Sequence, residues 1–159
     1  MIETMADTNP ATGTLYEAAG GADGMLRLAD AWHRRCMADA LASHPFSHGI
    51  HPQHSERLAA YWGEAIGGPP VYTRTMGDET SVVRMHVGNG RHDELNQRCI
   101  ELFELALRDA ELLPETRGPL LDYFSWVTLE MMGEPRSSAD IPDGMALQHW
   151  GWHGLETAE

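Results

Sequence analysis

His86 is the residue whose position in this sequence most directly suggests chemistry. It closes a short apolar segment, Val82 to Met85, that stops at Gly88. A histidine at the end of a short helix can present its ring to a cleft between longer helices, and a metal-bound imidazole needs a partner for its second ring nitrogen. His86 is therefore a candidate metal ligand, although from spacing alone a surface or capping histidine is the commoner case.

A second group of histidines recurs at every third residue: His48, His51 and His54. On one continuous helix these side chains would share a face, as pairs of metal ligands do. Pro52 interrupts the run, which argues against one helix through all three positions. A zinc site and a polar loop with solvated histidines both stay open for this group.

His33 and His54 form a third pattern, because each lies on or beside the apolar stripe of a different predicted helix. Buried histidines usually have hydrogen-bond partners, so both can be ordinary core residues. Alternatively, both rings line one pocket and face a bound ligand. Spacing does not choose between these two interpretations.

Composition favours a single domain in a reducing compartment. The chain has 159 residues, 42% of them hydrophobic, and its formal net charge of −13 opposes binding to nucleic acid or to an anionic membrane surface. No apolar stretch reaches the length of a membrane span, and the acidic N-terminus does not resemble a signal peptide. Cys36 and Cys99 lie on apolar faces and form no CxxC pair. These features predict a cytoplasmic protein.

The apolar spacing predicts an all-α fold. Thr14 and Glu17 match a capping box that opens a short helix ending at Gly20-Gly21. The longer segments with helical periodicity are 22–41, 53–66, 91–111 and 115–132. The other segments are predicted to be a disordered tail over 1–13, a turn over 42–52, a loop over 71–80 and an irregular C-terminal extension over 133–159.

Several short motifs occur in a fixed order with near-constant spacing. They are Leu15-Tyr16-Glu17-Ala18-Ala19-Gly20-Gly21, His44-Pro45-Phe46, Glu56-Arg57-Leu58, Gly67-Gly68-Pro69-Pro70-Val71-Tyr72, Val83-Arg84-Met85-His86 and Leu120-Leu121-Asp122-Tyr123. This ordered series resembles the bacterial truncated globins of group II, which fold as a two-on-two helical sandwich. The resemblance implies a truncated globin domain over residues 14–132.

The resemblance implies a haem b between the third and fifth helices. His86 falls on the family's proximal histidine, the one protein ligand that the iron requires. Phe46 falls where an aromatic ring packs on the haem, and Leu58 falls on an apolar wall of the distal side. Trp62 is also assigned to the haem pocket. Three further residues are candidate partners of a haem propionate: Tyr72, Arg74 and Arg84.

Three distal positions depart from the residues that the family usually carries. His33 stands where group II proteins have a tyrosine that hydrogen-bonds the gaseous ligand. His54 stands where a small residue is common, and Cys99 stands where a tryptophan usually reaches into the distal pocket. An imidazole N–H can stabilise partial negative charge on a diatomic ligand, and either histidine could instead bind the iron itself. The resemblance therefore implies haem binding with altered ligand chemistry.

The first functional hypothesis is reversible binding of O2 or another diatomic gas by a monomer or homodimer with no nucleic-acid or membrane partner. The alternative is a haem enzyme, either peroxidase-like or detoxifying nitric oxide, in which His33 or His54 donates a proton. Turnover by such an enzyme would need a separate electron-donating reductase. A helical zinc protein built on the histidines at 48, 51 and 54 is the third hypothesis.

Overall fold

The computed structural model describes residues 13–47, 49–87, 92–132 and 137–156. Its helices in chain order are α1 (Leu15–Ala18), α2 (Gly21–Met37), α3 (His54–Ala65), α4 (Val71–Thr75), α5 (Glu79–Val87), α6 (Asp93–Asp109) and α7 (Pro114–Met132). The structure also contains two short 3-10 helices, His44–Phe46 and Ser138–Asp140. Two strands complete it, β1 (His149–Gly151) and β2 (Gly154–Glu156). Within these ranges no helix has the length and apolar character that crossing a bilayer requires.

Two layers of helices form the body of the fold. Helix α2 packs on α3, α6 packs on α7, and α2 also packs on α6. A buried aromatic cluster fills the space between the layers: Phe103 stacks on Phe124 with ring centroids 4.1 Å apart, and Trp32 meets Phe124 edge-on at 5.4 Å. Trp62 completes the cluster, 5.3 Å from Phe103. The amphipathic stripes read from the sequence thus meet as the predicted two-on-two sandwich.

Local hydrogen bonds at Thr14 set the start of the helical fold. The Thr14 hydroxyl oxygen accepts from the Glu17 backbone N–H at 3.0 Å, and the Glu17 carboxylate accepts from the Thr14 N–H at 3.2 Å. This pair is the predicted capping box. Gly20 then adopts a φ of 98°, a left-handed conformation that glycine takes without steric cost. The chain can therefore reverse and begin α2 at the next residue.

The prediction of a loop over residues 71–80 is wrong. The segment contains the helix α4, and α5 already begins within it at Glu79. Pro70 occupies the N-cap of α4, where a proline does not interrupt helical hydrogen bonds. Two helices this short give no periodicity that a sequence window can detect.

Residues 137–156, here called the C-terminal segment, fold back onto the helices. The segment holds one 3-10 helix and an antiparallel strand pair in which Trp150 lies opposite Leu155. Strand β1 contacts α3, and strand β2 contacts α7. Ile141 packs on α5, whereas Leu147 is buried in the main core. The extension predicted as irregular therefore contains a small sheet and is packed against the helical body.

Candidate functional site

Helix α5 carries His86 one residue before its last residue, Val87. The Nδ1 atom of His86 lies 2.7 Å from the backbone oxygen of Val82, one turn earlier in the same helix. A carbonyl oxygen only accepts hydrogen bonds, so Nδ1 carries the proton and donates it. This tautomer leaves the ring lone pair on Nε2, and the hydrogen bond fixes the direction of the ring. Metal-binding histidines are held in this way by a second partner.

Three rings from different segments form a compact cluster around His54, the first residue of α3. The His33 ring, from α2, lies 4.8 Å from the His54 ring between centroids. Phe46, from the first 3-10 helix, lies 5.2 Å from His54 and 5.5 Å from His33. The structure therefore brings together His33, Phe46 and His54, here called the distal cluster after the distal role predicted for its two histidines.

Each histidine of this cluster has a buried ring nitrogen with unused hydrogen-bonding capacity. Among the described residues, neither Nδ1 of His33 nor Nε2 of His54 has a protein partner. Burial, with the nearby His33 and His51, lowers the pKa of His54 below its ordinary value. The neutral imidazole of His54 is therefore favoured at neutral pH. A buried polar atom without a protein partner is a natural contact for a ligand.

A cavity of about 680 Å³ opens to solvent beside these two histidines. It lies between α2 and the start of α3. Its polar lining includes three carboxylates and three histidines: Asp23, Asp30, Glu56, His33, His51 and His54. His33 and His54 of the distal cluster therefore line a cavity that is open to solvent.

The remaining predicted pocket residues fall into different surroundings. Trp62 lies in the aromatic core, and Leu58 is partly buried against that core. Tyr72 is buried with its ring 5.2 Å from the Tyr61 ring, and the Arg57 guanidinium lies 5.6 Å from the centre of the Tyr72 ring. These contacts make Trp62 and Tyr72 parts of the packed interior, and their contact with a haem stays a prediction.

Arg84 and Arg74, assigned to the haem pocket and a propionate, have different neighbours. Nη2 of Arg84 donates to the Ile141 carbonyl oxygen at 2.6 Å and to the Asp143 carboxylate at 2.9 Å. Both acceptors belong to the C-terminal segment. Arg74 is an exposed residue of α4. Arg84 is thus hydrogen-bonded to the C-terminal segment. The propionate role of either arginine stays a prediction.

Cys36 and Cys99 are buried and carry free thiols. The hydrogen bond that joins the two sulfur atoms, together with burial, raises the pKa of the Cys36 thiol above its ordinary value. The indole N–H of Trp32 donates to the backbone oxygen of Cys99 at 3.1 Å. Cys99 therefore lies at the contact between α2 and α6, where it is a small buried residue.

Sequence reasoning missed a buried pair, a carboxyl group and a phenol, at the start of α5. The Tyr61 hydroxyl donates to the Glu79 carboxylate at 2.6 Å, and both residues are buried. Burial raises the pKa of Glu79. Glutamate is mostly exposed in folded proteins, so no local pattern distinguishes Glu79 as a buried partner of Tyr61. Tyr123 is buried as well, and its hydroxyl has no partner among the described residues.

The structure describes two of the three histidines in the hypothetical zinc site. His48 lies outside the described residues. His51 is exposed and its Nδ1 accepts from the Gln53 backbone N–H at 3.0 Å, at the entrance to α3. Among the described residues no three histidine, cysteine or carboxylate side chains are grouped as a metal site would require. The His54 ring belongs instead to the distal cluster, with its centroid 4.8 Å from that of the His33 ring.

Residues 14–132 match the family model for bacterial-like globins. The haemoglobin of the thermophilic phototrophic bacterium Chloroflexus aurantiacus is 24% identical with a TM-score of 0.67, covering 77% of this chain and 99% of its own. The thermostable haemoglobin of the actinobacterium Thermobifida fusca gives the same identity and TM-score, covering 78% and 100%. The group II truncated haemoglobin of Bacillus anthracis gives 18% and 0.68, covering 81% and 98%. Comparison with curated proteins gives no match.

Proposed function

Because the chain belongs to the bacterial-like globin family, which implies a haem cofactor, we propose that it would hold haem b through Nε2 of His86 and bind a diatomic gas at the iron. The observation that carries this proposal is the 2.7 Å hydrogen bond from Nδ1 of His86 to the Val82 oxygen. It fixes the tautomer and makes Nε2 a stronger electron donor. A single histidine of this kind is the protein ligand that globin haem requires.

The haem iron would supply an open coordination position for O2 or another diatomic molecule. The residues of the chain would shape the space beside that position. Phe46 offers an apolar ring, while His33 and His54 offer ring nitrogens that have no partner among the described residues. A hydrogen bond from either imidazole would stabilise partial negative charge on the ligand. Gas binding with a polar distal side is thus the function that these contacts favour.

The visible absorption spectrum of the purified full-length protein tests this proposal. We expect a strong Soret band in the ferric form, and a shift of that band when carbon monoxide is added after reduction. Sharp paired bands in the reduced protein before gas is added would mean that His33 or His54 binds the iron. Absence of a Soret band after reconstitution with haem would overturn the proposal.

A peroxidase-like activity is the second candidate, because the distal cluster adjoins an open cavity and contains a neutral histidine. A neutral Nε2 of His54 can accept a proton from a peroxide that enters the cavity and return it later as a general acid. Such an enzyme would need a separate electron donor. Fast reaction with hydrogen peroxide and rapid autoxidation would favour this candidate over reversible gas binding, whereas a long-lived gas complex would favour reversible binding.

A further inference from the structure

Helix α5 is too short to hold its own position. It has nine residues, and isolated helices of this length are unstable in water. Its main packing partners are α7 and the 3-10 helix Ser138–Asp140 of the C-terminal segment. A large part of the tertiary support for the helix that carries His86 therefore comes from a segment beyond residue 132, where the family match ends.

Hydrogen bonds join two successive turns of α5 to this segment. The buried hydroxyl of Thr80 donates to the Pro142 oxygen at 3.0 Å and accepts from the Met145 N–H at 3.0 Å. Four residues later, Arg84 donates to the Ile141 oxygen at 2.6 Å. These contacts involve backbone atoms of the segment, so they fix its path along the helix.

Apolar contacts reinforce the same face. Val83 and Val87 of α5 and Ile141 of the segment are buried against one another, with Met145 packed beside them. Val82, on the neighbouring row of α5, is buried in the main core instead. The helix is thus held on two sides by two separate apolar clusters, which fixes its rotation about its own axis.

The far end of the segment is attached to the helical body. Leu147 is part of the main core, and the Trp150 ring lies 5.4 Å from the Trp126 ring of α7. The Trp152 indole N–H donates to the Gly13 oxygen at 2.8 Å. The segment therefore spans from α5 to the core and is fixed at both ends.

We propose that the C-terminal segment is a strap that positions α5, and that Thr80, Arg84 and Ile141 are positioning residues for His86. The inference rests on the proposed role of His86 as the iron ligand. The His86 ring is bonded to Val82 in its own helix, so it turns with the helix. A fixed position of α5 therefore fixes the direction of the Nε2 lone pair of His86. That direction would determine the strength of the iron–histidine bond and the retention of haem.

Amide hydrogen exchange tests whether the strap holds α5. In the full-length protein, Thr80→Val and Ile141→Ala are each expected to speed exchange within residues 79–87 by about tenfold, because each removes contacts that oppose local opening. Thr116→Val is the matched control. Thr116 is fully buried, and its hydroxyl donates to the Leu113 oxygen at 2.7 Å, a local hydrogen bond that involves neither α5 nor the strap. This variant should leave exchange in 79–87 unchanged.

The haem-loaded variants test whether the strap positions His86. For Thr80→Val and Ile141→Ala we expect haem transfer to an apo-globin acceptor that is several-fold faster, and a changed iron–histidine stretching frequency in the ferrous resonance Raman spectrum. Unchanged exchange in 79–87 would overturn the strap, whether or not haem binds. Faster exchange with unchanged haem transfer and frequency would overturn the positioning role. Failure of the wild-type chain to take up haem would instead contradict the proposed function.

Discussion

The imidazole rings of His33 and His54 lie 4.8 Å apart between centroids, although they come from two helices separated by the first 3-10 helix. Each has a buried ring nitrogen with no partner among the described residues. Burial lowers the pKa of His54, and the neighbouring His33 lowers it further. The arrangement therefore favours the neutral form of His54 and places two ring nitrogens without protein partners beside an open cavity.

The proposed gas binding predicts that replacing His33 or His54 accelerates release of a bound gas. A hydrogen bond to a ligand contributes roughly 1–3 kcal/mol, so His54→Leu or His33→Leu should raise the O2 dissociation rate by about tenfold or more. Stopped-flow displacement of O2 by carbon monoxide measures this rate. His51→Leu is the control, because His51 lines the same cavity but its Nδ1 already accepts from Gln53. Equal rates in all four proteins would show that neither ring contacts the ligand.

The lowered pKa of His54 should make the protein less stable in acid. Above the ordinary histidine pKa of 6.5, both the folded and the unfolded chain hold this residue neutral, so it contributes nothing to the pH dependence. As the pH falls below that value, the unfolded chain takes up a proton that the folded site resists, and the free energy of unfolding decreases. Urea unfolding of the full-length chain at pH 7.5 and pH 5.5, for wild type and His54→Leu, measures the difference.

The expected result is a smaller loss of stability between these two pH values in His54→Leu than in wild type. His149→Leu serves as a control for general effects of removing a histidine, since His149 is exposed in β1. A loss of stability as large in His54→Leu as in the wild-type protein would mean that the His54 ring titrates in the folded state as it does in water.

The long helices could be predicted from the sequence because their apolar residues recur at helical spacing. In the structure these apolar faces meet in the sandwich. The start of the first helix could be predicted because Thr14 and Glu17 form a local hydrogen-bonded pair. Contacts between distant segments could not be predicted in this way. Arg84 bonds to Ile141, 57 residues away, and no local pattern distinguishes this arginine from one that faces a cofactor.

Loss of His86, the proposed iron ligand, should weaken haem binding. His86→Ala is expected to purify with less haem and to lose added haem more readily than the wild-type protein, because it removes the proposed iron ligand. Haem content per chain from the pyridine haemochrome assay measures the effect, with His149→Ala as the matched control. Recovery of the Soret band when imidazole is added to His86→Ala would support a vacated iron ligand. Full haem retention with an unchanged spectrum would contradict the assignment.

The buried pair of Tyr61 and Glu79 should contribute to stability, whereas the hydroxyl of Tyr123 should not. Tyr61→Phe removes the 2.6 Å hydrogen bond and leaves a buried carboxyl group without that donor, which costs about 1–3 kcal/mol. Tyr123→Phe removes a buried hydroxyl that has no partner among the described residues, so its effect should be neutral or stabilising. Urea unfolding at pH 7 compares the two variants. A larger loss of stability for Tyr123→Phe would show that its hydroxyl has a partner.

The close approach between α1 and α2 should make Gly24 intolerant of a side chain. A Cβ atom at Gly24 would lie 1.9 Å from the Ala19 backbone oxygen, so Gly24→Ala must move one helix against the other. Overpacking of this kind costs about 1–3 kcal/mol. At Gly118, within α7, a Cβ meets no atom of a residue beyond its chain neighbours within 4 Å, so Gly118→Ala should cost less stability than Gly24→Ala, even though Pro119 disfavours a side chain before it in a helix. Thermal unfolding of both variants measures this difference, and equal melting temperatures would contradict the packing of α1 on α2.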